Sequence, residues 1–255
     1  MPFVLRPSVS PAPGAPAADV EQGGRRDVAA VVAPLAAPLK GGDSHLHHHE
    51  EEHHHHQAPT TPPSSIANPA PLGLLAFGVT TCLLMFRTAK WVETEHLGLV
   101  VAFAFFLGGA GQVVAGFCDL LRGDAFGGTA FSLYGAFWLG WGLLNVLSIQ
   151  AGPQVFAPPA AFKVGETLFL SLFALLTALL FVPTMRKSAG LMYVFASLAT
   201  TFALLAGGVW SAACNVAAGY VGLLCGAGAI ALAFATLYKE TLGLESFLTR
   251  PVRLL

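Results

Sequence analysis

Apolar residues fill six long runs of this chain, and polar residues gather between them. The runs cover residues 70–86, 97–118, 128–149, 167–183, 191–210 and 215–238. No charged residue lies between Ala125 and Phe162, and none between Ser188 and Tyr238. A helix needs roughly 20 mostly apolar residues to cross a bilayer, and each run approaches or exceeds that length. The connections are short, at 87–95, 119–124, 153–163 and 185–188. This pattern predicts an all-α, polytopic membrane protein with six transmembrane helices over residues 64–240 and a short tail at 241–255. Residues 1–63 show no helical period and hold ten of the seventeen prolines and eight of the nine histidines. Such a segment buries too little apolar surface to offset its ordering entropy, so a disordered N-terminal tail is expected there.

Composition sharpens this. Only 11% of the residues are charged, where a soluble domain carries about a quarter. A soluble protein with a large core would need a charged shell that residues 66–238 cannot provide. The net charge of -1 gives no footprint for nucleic acid. Cys82, Cys118, Cys214 and Cys225 lie in or at the ends of apolar runs, without zinc or disulfide spacing. No cleavable signal peptide is visible at the proline-broken N-terminus. Six spans put both termini on one side. That side would hold Arg122, Arg186, Lys187, Lys239, Arg250 and Arg253, against Arg87, Lys90 and Lys163 on the other. The excess predicts cytosolic termini. The plasma membrane is the default, with an organelle membrane open.

Candidate chemistry is sparse. Within the spans there is no nucleophile–base arrangement, HExxH, Walker sequence or dinucleotide fingerprint, so neither an enzyme nor a cofactor is expected. The polar residues of the spans are mostly uncharged, Thr80, Gln112, Tyr134 and Asn145 among them, which suits a small solute. Asn68-Pro69-Ala70-Pro71 fixes the start of the first helix. Its free N–H groups favour an anion, and Asn68 adds an amide donor; a plain cap is the other reading. Asp119 and Glu166 lie near span ends, where a solvated carboxylate is ordinary. Glu166 is also a possible proton site, because intramembrane carboxylates are functional candidates. Gly222 and Gly226 form GxxxG, and Ser132, Ala136 and Gly140 a small-residue stripe, for packing within or between subunits. His47, His49, His53 and His55 are weak metal candidates within low-complexity sequence.

The motifs carry a resemblance. NPAPLGLLAFGVTT, at 68–81, resembles the signature of the acetate uptake transporter family, which includes the bacterial succinate–acetate permease and the ammonia/acetate export proteins of yeasts. Residues 111–140, 193–207 and 218–233 resemble its second and third, fifth and sixth helices. Residues 163–183 resemble it poorly, and Tyr220 stands where a Trp is usual. The resemblance implies a homohexamer of six-helix subunits, each with its own pore for acetate and related short carboxylates, in some members succinate, with transport generally described as proton-coupled. It implies a hydrophobic constriction at Phe77, Tyr134 and Leu198. It also implies substrate contacts at Asn68, Thr80, Gln112 and Tyr134. A passive anion channel, an ammonium exporter, or a non-transporting membrane sensor or scaffold are the rival expectations.

Overall fold

The computed structural model describes residues 66–151 and 159–252. Among them, six helices are long and apolar enough to cross a membrane. They are α1 (Ala70–Thr88), α2 (Leu97–Leu121), α3 (Ala125–Ala151), α4 (Pro159–Thr184), α5 (Ala189–Gly208) and α6 (Ala212–Leu242). All described regular structure is helical. The expected order holds, with α3, α4 and α6 longer than their apolar runs. In α4 the extra turns carry Lys163 and Glu166 into the helix. The histidines at 47, 49, 53 and 55 lie outside the described residues.

Local chemistry explains the boundaries. Ser188 and Ser211 stop the α5 and α6 N-termini from fraying, each accepting a bond from an N–H three residues on. Asp124 does the same for α3, accepting from the N–H groups of Phe126 at 3.0 Å and Gly127 at 3.1 Å. Gly243, at φ 69°, ends α6 in the left-handed conformation that a residue without Cβ adopts readily. Beyond it, Phe247–Thr249 forms a short 3-10 turn that folds back, so that Leu248 packs on the core.

Helix α1 sits centrally, against α6, α2 and α3. Its contact with α6 is a backbone-to-backbone approach. A Cβ on Gly78 would lie 2.8 Å from the Gly226 carbonyl oxygen, and one on Gly226 would meet Cys82. The GxxxG of α6 is therefore spent inside the subunit. Of the α3 stripe, Ser132 meets Gly116, whereas Ala136 and Gly140 are exposed. Helices α3 and α4 meet through rings, with Phe137 stacked on Phe169 at 5.8 Å and against Phe173 at 5.0 Å.

Within α2, Ala104–Gly111 winds as a π-helix. The wider turn lets Gly108 and Gly109 press against α1 and α3 before the regular helix resumes at Gln112. Such segments are uncommon and often adjoin functional sites.

Candidate functional site

Five helices surround a cavity of about 270 Å³ that opens at the end of the bundle where α1 begins and α6 ends. Its inner wall includes Phe77, Gln112, Tyr134 and Leu198. The sequence reading thus named four residues that the fold brings together. Phe77 and Tyr134 lie with ring centroids 6.1 Å apart, and Tyr134 also meets Phe173, Phe195 and Phe202. Phe77, Tyr134 and Leu198 are 6%, 4% and 5% exposed and form a buried apolar group on the cavity's inner wall.

Several polar atoms inside the bundle stand without partners. Among the described residues, both amide atoms of Gln112 and the hydroxyls of Thr80 and Thr81 are buried without a hydrogen bond. Leaving such a group unsatisfied costs about 1–3 kcal/mol. Each such group calls for an explanation, such as an ordered water or a polar ligand. Thr80 is fully buried one turn beyond Phe77, off the cavity wall, against Gly108 and Trp138. Gln112 lines the cavity itself.

Two expected substrate contacts are already engaged. Thr177 Oγ1 bonds the Phe173 carbonyl at 2.6 Å, which uses its one proton, so the Tyr134 hydroxyl 2.9 Å away donates to Thr177. The Tyr134 ring faces the cavity while its proton points to α4. Asn68 accepts from the Ala70 N–H at 3.0 Å and donates to Glu240 at the end of α6. It is a cap and a tie between helices, and it stands off the cavity wall. Glu166 is exposed on α4, also off the cavity.

The charged groups at the mouth were not singled out as site residues from sequence. Asp119 lines the cavity and is only 3% exposed, covered by Gly127, which is too small to displace its carboxylate. Its Oδ2 has no partner among the described residues. The ordinary reading, a solvated carboxylate, is corrected here: α3 packs over it. The signal was available, since Asp119 follows Gln112 by seven residues, two helical turns, and so shares its face. Lys187 bonds both Asp124 oxygens, at 3.0 and 3.2 Å, and lies 5.0 Å from the Phe126 ring centroid. Burial would raise the Asp124 carboxyl, but the Gly127 N–H and the Lys187 ammonium outweigh it and hold it below the usual value. Among the described residues no group of His, Cys, Asp and Glu could hold a metal ion.

A cavity floored by rings and mouthed by paired charges suits a small, partly apolar anion or its acid. The profile of the GPR1/FUN34/yaaH family matches residues 52–254. The succinate-acetate/proton symporter SatP of Escherichia coli (strain K12) is 39% identical over 182 residues, 71% of this chain and 93% of that protein. Acetate permease A of Emericella nidulans is 33% identical over 148 residues, 54% of this chain and 48% of that one. Ammonia transport outward protein 2 of Saccharomyces cerevisiae is 35% identical over 146 residues, 54% and 49% of the two chains. The solved structure of the bacterial acetate channel SatP matches with a TM-score of 0.64 at 37% identity, covering 73% of this chain and 99% of that one. With that profile spanning its whole helical bundle, the chain belongs to the GPR1/FUN34/yaaH family.

Proposed function

We propose that this protein carries acetate and related short carboxylates across a membrane, one proton travelling with each carboxylate, as a homohexamer with its termini in the cytosol. The unpaired Gln112 amide facing a cavity with that apolar group on its inner wall carries the reading. A carboxyl group satisfies both amide atoms at once, and the methyl group fits the rings beyond. A bare anion is strongly disfavoured in a dewetted constriction. Pairing it with a proton removes most of that penalty. Asp119 is the acid best placed to hold this proton, with Asp124, Arg122 and Lys187 as its charged neighbours. It replaces Glu166 in that role.

The names of the relatives divide on mechanism. One is called a proton symporter and a solved one a channel. The near absence of ionisable groups inside the spans favours the channel as the second reading. Labelled acetate uptake into proteoliposomes under a pH gradient separates the two, with protein-free vesicles as the control for diffusing acetic acid. Coupled transport gives accumulation above the control that Asp119→Asn abolishes while acetate–acetate exchange persists. A channel gives flux that Asp119→Asn leaves equally responsive to the gradient. No protein-dependent flux defeats both.

A further inference from the structure

The end of the bundle opposite the mouth holds a second pocket, of about 340 Å³, lined by Arg87, Thr88, Lys90, Val92, Glu93 and Asn215. Two features there have no structural use. The Nε of Arg87 is buried and has no hydrogen-bond partner among the described residues. Lys90 stands at φ 61°, the left-handed region that disfavours a side chain with a Cβ. It occupies the position just past the C-cap of α1, where glycine is the favoured residue. The Lys90 turn itself is closed by backbone bonds, Lys90 N–H to the Arg87 carbonyl at 3.0 Å and Trp91 N–H to the Phe86 carbonyl at 2.9 Å. Glycine would make them without strain. The lysine is therefore not explained by the turn that contains it.

The turn is also held still. Trp91 stacks on Phe86 at 5.6 Å and donates to the Tyr220 hydroxyl at 3.3 Å. The ion pairs among the described residues are Lys187–Asp124 and Lys239–Glu245, so the Lys90 ammonium and the Arg87 guanidinium meet no carboxylate. Glu93 shares the wall without pairing with either. Two cations against one acid leave the pocket net positive, and Asn215 adds an amide. Arg87 also follows Thr80 by seven residues on α1, two helical turns and about 10 Å. It lies on the same side of the helix as the unpaired threonine.

We propose that Arg87, Lys90 and Asn215 form an anion-docking vestibule that takes the carboxylate of the transported acid at the far end of the path from the Asp119 mouth. This rests on the carboxylate-transport reading above and adds a second recognition site to it. Screened at a surface, each cation contributes modestly, so the vestibule acts on the concentration dependence of flux and leaves the maximal rate to the constriction.

Lys90→Gly tests this cleanly, because it removes the ammonium while relieving the backbone. Acetate influx into proteoliposomes of zwitterionic phosphatidylcholine gives KM and kcat, and labelled-acetate binding to the purified full chain in uncharged detergent gives an independent readout. Lys90→Gly is expected to hold or raise the melting temperature and to raise KM about three- to fivefold at unchanged kcat. Arg87→Gln should act in the same direction, and Lys90→Arg should restore KM. Unchanged KM in both loss variants, with flux intact, overturns the vestibule and spares the transport reading. Acetate binding that weakens in Lys90→Gly while the wild type shows no flux does the reverse. An effect confined to vesicles containing anionic phospholipid assigns the pocket to surface charge and overturns the proposal.

Discussion

At the scale of single residues, Gln112 and Tyr134 make opposite predictions although both line the same cavity. Gln112 is 1% exposed with two unpaired amide atoms. Replacing such a group by an apolar one of similar size removes a buried desolvation cost of about 1–3 kcal/mol. Gln112→Leu should therefore hold or raise thermal stability while acetate flux falls at least about tenfold, the equivalent of one good hydrogen bond to a carboxyl. Parallel melting and uptake measurements check it, and a stabilised variant with full flux would count against substrate contact. Tyr134 donates its proton to Thr177. Tyr134→Phe should cost about 1 kcal/mol of stability through that lost bond, yet leave flux within about threefold because the ring remains. A collapse of flux at unchanged melting temperature would mean that the hydroxyl leaves Thr177 to meet the substrate.

At the scale of helices and their connections, the Asp124–Lys187 pair joins the α2–α3 turn to the connection entering α5. Asp124 also caps α3. Its carboxyl is held below the ordinary value, so the contribution to stability is complete above about pH 4, the usual value of an unfolded aspartate. It is lost as pH falls through the lower folded value. Asp124→Asn should lower the melting temperature near neutrality, with the gap to wild type closing under acid; a gap constant from roughly pH 7 down to roughly pH 3 would rule this out. The helices themselves were legible in the sequence because a span has a length and an apolarity that no soluble element shares. The candidate gate residues come from motif alone, since Phe77 and Leu198 look like any packed residue by composition. What stayed hidden depended on another helix. Asp119 reads as a solvated end residue until Gly127 of α3 is laid over it. Asn68 reads as a free donor until Glu240 arrives from the far end of α6. Glu166 reads as a possible proton site because a carboxylate at the edge of an apolar span is a functional candidate, and the pattern of α4 does not show which face turns inward. Only 17% of its most apolar stretch is buried, against 50% for α1.

At the scale of the whole molecule, the proposed path would run from the Asp119 mouth, past Gln112, through the Phe77–Tyr134–Leu198 plug, towards the threonines of α1 and the Arg87 pocket. Phe77, Tyr134 and Leu198 are the apolar stretch of that proposed path, so on the transport reading they decide which molecules cross. Two of the three are rings locked by neighbours: Tyr134 by four other rings and the Thr177 bond, Phe77 by Tyr134. Leu198 is the member that can be trimmed without disturbing that network. Leu198→Ala removes three methyl-sized groups from a wall 5% exposed, and the constriction widens on the α5 side. Uptake should then extend to acids longer by one to three carbons, with acetate flux maintained or raised, as measured by labelled propionate and butyrate against acetate. Deleting a buried leucine costs about 2–5 kcal/mol where the site cannot collapse, so expression and melting must be followed. Leu198→Val, with a smaller loss, should shift selectivity in the same direction by less. A graded widening across Val and Ala places the size filter at this ring. An unchanged acid range in both well-folded variants would place it elsewhere on the path, with Gln112 and Thr80 the nearest polar positions left to set it.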